Sequence, residues 1–91
     1  MTVRVHIPAN LREFTDGQSS VEVGGDCVQV TLSELTARYP LLRDRLLTSS
    51  DELHSFVNVF VGGRSIRDLD GLSTSLATGD TLLIVPALAG G

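Results

Sequence analysis

Lysine is missing from this chain. All seven of its basic residues are arginines. There is no ε-amine to form a Schiff base or to receive an isopeptide bond, so chain-building on itself through lysine is excluded. Tryptophan is also missing, and the aromatics are three Phe and one Tyr. With a net charge of −4 and no basic stripe, no nucleic-acid partner is expected. The single cysteine, Cys27, cannot close an internal disulfide, and nothing points to secretion. No apolar run has the length a membrane span needs. Met1-Thr2-Val3-Arg4 lacks the charged leader and apolar core of a signal segment. These absences give a cytoplasmic location as the expectation. His6 and His54 are too few and too scattered for a metal site, and no metal is expected. No nucleophile–base constellation, phosphate loop or cofactor fingerprint occurs. Asp51-Glu52 and Asp68/Asp70 read as solvated loop charges, not an acid–base pair.

What is present fits one small globule. Ninety-one residues, 42% apolar and 20% charged, support a single core that buries roughly 60–65% of the unfolded surface. Thr2 to Pro8 alternates, with Val3, Val5 and Ile7 on one side and Arg4 and His6 on the other: a half-buried strand. Leu11 to Gly17 ends in an Asp-Gly turn signal. Val21 and Val23 mark the second strand of a hairpin, which Gly24-Gly25 breaks. Val28, Leu32, Leu35 and Tyr39 share one helical face. Asp26 with Gln29 resembles a capping box, and Pro40 ends the helix. Leu41 to Leu47 forms a short further turn, and Thr48 to Asp51 a surface loop. Phe56 to Val61 is the strongest strand signal, with Val57, Val59 and Val61 on one face and Phe56, Asn58 and Phe60 on the other. Gly62-Gly63 turns the chain, and Ser65-Ile66-Arg67 reads as a short partner strand. Leu69, Leu72 and Leu76 fill a connection to the last strand, which Gly79-Asp80 opens.

That order is strand, strand, helix, strand, short strand, strand. One helix must cover one face of a mixed sheet of four to five strands, with the first and last strands parallel at its centre. The pattern predicts an α+β, β-grasp (ubiquitin-like) fold. Residues 1–86 are the domain and 87–91 a flexible tail.

The tail is the chemically distinctive part. Pro86 cannot donate to a ladder, so pairing is expected to stop there. Ala87-Leu88-Ala89-Gly90-Gly91 follows, small and able to thread a narrow site. Its α-carboxylate, with an ordinary pKa of about 3.5, is ionised at neutral pH. A frayed terminus is the plainer reading of such an end; a Gly-Gly hung directly on a last core strand argues against it. A docking face follows from the apolar residues left over once the helix has covered its side. Phe60, Leu83 and Val85 face outward, with His6 and Pro8 nearby. An exposed sheet face normally carries polar residues, so this one suits a partner. Mutual cover of Phe60 and Leu83, or cover by the loop after Gly17, is the alternative. Cys27, opening an apolar helix, is a small buried residue or, as a minority reading, a persulfide carrier.

Leu11-Arg12-Glu13-Phe14-Thr15-Asp16-Gly17, Phe56-Val57-Asn58-Val59-Phe60-Val61 and Gly79-Asp80-Thr81-Leu82 through Gly90-Gly91 resemble the MoaD/ThiS family of prokaryotic sulfur carriers. The resemblance runs over nearly the whole chain. Leu53-His54-Ser55-Phe56-Val57-Asn58 and Tyr39-Pro40 place it nearest the CysO-type branch, which supplies sulfur for cysteine biosynthesis. It departs at Leu88, where smaller β-branched residues are usual, and at Cys27, where a capping Thr is frequent. The resemblance implies a protein cosubstrate, not an enzyme. A MoeB/ThiF-like adenylyltransferase would join the Gly91 carboxylate to AMP, using ATP and Mg, and a sulfur nucleophile would convert it to a thiocarboxylate. Gly91 is then the reacting residue, Gly90 gives it access, and Leu88 and Ala89 lie in the partner's channel, with a plain spacer the alternative for Ala89. No cofactor is bound by the chain itself. PLP belongs to an acceptor enzyme of the cysteine-synthase type, after which a metalloprotease would regenerate the tail. The small subunit of molybdopterin synthase and a ubiquitin-like protein modifier are the alternatives.

Overall fold

The alternation read from the sequence becomes a five-stranded sheet with a helix across one face. The structure, a computed structural model, describes residues 2–86. Strand β1 is Val3–His6, β2 Ser20–Val23, β3 Val57–Val61, β4 Arg64–Ser65 and β5 Thr81–Pro86; helix α1 is Val28–Arg38 and the short α2 Arg43–Leu46. Strand order is β2-β1-β5-β3-β4. The central pair, β1 and β5, is parallel, with Val5 opposite Leu82 and His6 opposite Leu83. The outer pairs are antiparallel, Val3 opposite Val23 on one side and Phe60 opposite Leu83 on the other. This is the β-grasp arrangement: hairpins β1–β2 and β3–β4 are joined through a helical crossover, and the chain's last strand, β5, lies between them beside its first.

One face of this sheet is dry. Val3, Val5, Ile7, Val57, Val59, Leu82 and Ile84 are all essentially inaccessible, and α1 sets Val28, Leu32 and Leu35 against them. Those three helical residues lie one turn apart along one stripe, so a single side of α1 is buried. Tyr39 caps the helix at φ −127° and packs against the core at its rim, with Pro40 opening a 3₁₀ turn behind it. The hairpin between β3 and β4 closes on Gly62 and Gly63, at φ +58° and +82°. A two-residue turn with both φ values positive matches the twist of the flanking strands and admits glycine readily.

One element is added and three local expectations are corrected. Ala9–Phe14 is a 3₁₀ helix leading into the expected Asp16-Gly17 turn; buried Thr15 ties it down by donating its hydroxyl to the carbonyls of Arg12 and Gln18. Helix α1 is capped by Cys27, and no side chain caps it, so the Asp26–Gln29 box is not formed. A tertiary bridge takes its place. Val28 N–H donates to the Thr74 carbonyl, Leu76 N–H donates to the Asp26 carbonyl, and Cys27 lies opposite Ser75. One of the N–H groups that a helix start leaves orphaned, that of Val28, thus has a backbone partner. The partner strand of β3 is Arg64–Ser65 rather than residues 65–67, because buried Ile66 starts a 3₁₀ turn. Finally, Pro86 still sits in register opposite Val57, one residue farther than expected.

Candidate functional site

Strand β5 alternates between the two faces of the sheet. Leu82 and Ile84 point into the core, while Leu83 and Val85 are each 39% exposed on the outer face. Period-two geometry leaves no other choice once the inner pair is buried. Phe60, half-buried on β3, stands directly opposite Leu83, and Asn58 stands opposite Val85. Whatever the loop after Gly17 contributes, Leu83 and Val85 stay open to solvent. Phe60 and Leu83 shield each other only in part. The result is an apolar ridge on an otherwise water-facing sheet surface.

A hollow lies on either side of that ridge. One, about 540 Å³, is lined by Phe60, Gly62, Gly63, Thr81, Leu83 and Val85. The other, about 430 Å³, takes in His6, Pro8, Arg12, Leu83, Val85 and Pro86. The ridge and both hollows thus gather every predicted docking residue that falls within the described residues. His6 is exposed on β1 opposite Leu83, and Pro8 is half-buried just beyond it. Leu88, Ala89, Gly90 and Gly91 lie outside the described residues. Pro86, where the described chain ends, borders the second hollow.

Two arginines flank the ridge and escaped the sequence reading. Arg12 donates from Nε to the Ile7 carbonyl at 3.0 Å. Arg67 donates to the Asn58 side-chain oxygen and, at 3.1 Å, to the His54 carbonyl. His54 stacks on Phe56 with ring centroids 4.8 Å apart. A 3₁₀ turn aims Arg67 back over β3, and neither composition nor periodicity signals that.

The remaining candidates are dispersed. Cys27 is only partly exposed, at the start of α1. His54 sits in the loop before β3, away from His6, and among the described residues no three of His, Cys, Asp and Glu stand close enough to hold a metal. Asp51, Glu52, Asp68 and Asp70 are exposed; Asp51 pairs with Arg43. A third hollow of about 310 Å³, between α1 and the segment near Leu47 to Asp51, contains none of the predicted site residues. Among the described residues, no helix is long and apolar enough to cross a membrane.

Fold and site together define a ubiquitin-like β-grasp protein whose central strand carries an apolar outer ridge toward the C-terminal tail. Comparison with known proteins agrees and is more specific. The chain belongs to the ThiS family, which it matches over residues 5–91, a family of ubiquitin-like sulfur carriers. It is 43% identical to the sulfur carrier protein CysO of Mycobacterium tuberculosis, over the full length of both chains. It superimposes on a chain of the Amycolatopsis orientalis BexX/CysO complex with a TM-score of 0.90 and 39% identity, over 98% of this chain and 99% of that one. It is also 36% identical to small archaeal modifier protein 3 of Haloferax volcanii, again over the full length of both. Sulfur carriers of this kind are small protein cosubstrates rather than enzymes.

Proposed function

We propose that this chain carries sulfur as a thiocarboxylate on Gly91 and delivers it for the biosynthesis of cysteine. The full-length likeness to CysO supports the pathway. The observation that carries the site is the apolar ridge of Leu83 and Val85, continuous along one strand with Pro86. In this reading residues 1–86 are the recognition domain, residues 87–91 are the reacting tail, and the protein works in the cytoplasm.

The chemistry needs an outside activator, because a carboxylate oxygen is a poor leaving group. A MoeB/ThiF-like adenylyltransferase seats the ridge formed by Phe60, Leu83 and Val85, with His6 and Pro8 at its border. Ala87, Leu88 and Ala89 then lie in its channel, and Gly90 and Gly91 reach the nucleotide. The Gly91 carboxylate attacks the α-phosphate of ATP, held with Mg, and pyrophosphate leaves. A sulfur nucleophile next displaces AMP, leaving the thiocarboxylate. The carrier contributes position and recognition; catalysis belongs to the partner. The soft sulfur then attacks an activated serine derivative on a PLP enzyme of the cysteine-synthase type. Shift of the resulting thioester to an amide leaves one cysteine joined to Gly91, and a metalloprotease frees it.

The 36% identity to an archaeal modifier protein supports one second reading, attachment to lysines of other proteins. Pyrophosphate exchange with the ThiF-like adenylyltransferase of the same organism tests the activation common to both. Exchange dependent on this chain is expected, and its absence at saturating carrier would refute both. Tail sulfur without lysine conjugates separates carrier from modifier. Sulfur transfer to a pterin precursor, with no cysteine adduct, would instead assign the chain to molybdopterin synthesis.

A further inference from the structure

The seven arginines of this net-acidic chain are not all balanced. Among the described residues, ion pairs occur only at Arg43, with Asp44 and Asp51. Arg67 has no carboxylate partner there, yet it is held in place. Its guanidinium donates to the Asn58 side-chain oxygen and to the His54 carbonyl. Both acceptors are neutral, so the full positive charge survives, and a guanidinium has further N–H donors to offer. An exposed arginine free to move would lose side-chain entropy on binding; this one has lost much of it already. Phe56, 49% exposed, is stacked on His54, the same residue whose carbonyl accepts from Arg67, and so is an aromatic surface held in position. Strand register puts this pair next to the tail's root: Asn58 lies opposite Val85 and Val57 opposite Pro86.

We propose that Arg67 and Phe56 form a second recognition element beside the ridge, and that its occupant is a carboxylate-bearing segment, flanked by apolar surface, of the enzyme that activates the tail. This rests on the proposed function. Charge selects the occupant: a fixed cation with no carboxylate partner among the described residues, next to a fixed aromatic, favours an acidic group with an apolar neighbour. Position points to an enzyme that handles the tail, and the activating enzyme is the one on which every later step depends. Anything that threads residues 87–91 comes up to Pro86, which lies opposite Val57, the chain neighbour of both Phe56 and Asn58.

The test measures carrier KM and kcat for adenylation by the ThiF-like adenylyltransferase of the same organism, across a series of NaCl concentrations. For Arg67→Gln, KM is expected to rise about tenfold at low salt with kcat unchanged, and the dependence of KM on salt to flatten. Phe56→Ala should raise KM by a similar factor and keep the wild-type salt dependence. Wild-type KM and salt dependence in a folded Arg67→Gln protein would overturn the proposal. If that variant fails to fold, Arg67→Lys provides a second route, since it supplies the chain with its one ε-amine. Acetylation after folding then removes the charge, with acetylated wild type controlling for the N-terminus. KM should rise on acetylation of the variant only; equal effects on both would count against Arg67. A wild-type chain that is never adenylated would overturn the proposed function and this inference with it, whereas adenylation indifferent to Arg67 overturns this inference alone.

Discussion

Replacing Leu82 or Leu83 by alanine removes the same isopropyl group from opposite faces of one strand. Leu82 is fully buried against the α1 side, whereas Leu83 is 39% exposed on the outer face. At Leu82 the loss combines transfer free energy with a cavity that the sheet cannot collapse, about 2–5 kcal/mol. That is a large part of the ~5–15 kcal/mol that holds a domain folded, and it should lower Tm by on the order of 15 °C. At Leu83 no closed cavity forms, and the partly wetted side chain gives up at most about 1 kcal/mol, or roughly 5 °C. The order should invert for partner docking. Truncating a central apolar anchor of an interface costs about 2 kcal/mol or more, which is roughly a 30-fold rise in carrier KM. Leu82→Ala, corrected for its folded fraction, should keep the wild-type KM. Urea melts of both variants, paired with pyrophosphate-exchange kinetics, provide the comparison. Equal destabilisation by the two changes, or a Leu83→Ala KM within about twofold of wild type, would refute the assignment of the outer face.

The other expectations are briefer. The Thr31 hydroxyl is fully buried and has no hydrogen-bond partner among the described residues, so Thr31→Val should raise stability by about 1 kcal/mol in a urea melt; a loss of stability would mean the hydroxyl has a partner. A Cβ at Gly25, where φ is +147°, would fall 2.3 Å from the Thr31 hydroxyl oxygen and 2.8 Å from its backbone nitrogen, so Gly25→Ala should destabilise by about 1–3 kcal/mol, and an unchanged melt would count against that packing. Cys27→Ser should still load sulfur, as read by intact mass; complete loss with an unchanged circular dichroism spectrum would make Cys27 a participant. Deleting Gly91, or adding one residue after it, should leave Tm nearly unchanged and abolish adenylation, because the reacting carboxyl is displaced from the nucleotide; normal activation of the extended chain would sink the terminal-carboxylate reading.

The sheet was legible because period-two alternation survives in four of its strands: Val3/Val5, Val21/Val23, Val57/Val59 and Leu82/Ile84 are the inner residues read from sequence and found buried. The outer ridge followed by subtraction, since Leu83 and Val85 had nowhere else to point. The cap of α1 was misread because what fixes it is nonlocal. Backbone bonds from residues 74–76 hold Asp26 to Val28, and no local signal announces such a bridge. The Ala9–Phe14 turn was missed for a related reason: a 3₁₀ segment this short has no hydrophobic period to read. Arg67 escaped because its position beside the ridge arises where the chain leaves β4 and turns back over β3. Leu88, Ala89, Gly90 and Gly91 were named from the sequence and its family resemblance, and they lie beyond the described residues.

Intact-protein mass spectrometry addresses the central claim most directly. The full chain is incubated with the adenylyltransferase, ATP, Mg and a sulfide source, then with a cysteine-synthase-type enzyme and O-phosphoserine or O-acetylserine. Two successive masses are expected: first the exchange of one oxygen for sulfur, placed at Gly91 by fragmentation, then a chain one cysteine residue heavier than the starting protein, its sulfur being the one already loaded. A chain that keeps its original mass through the first step, or that takes up sulfur on Cys27 and not on Gly91, would contradict that claim.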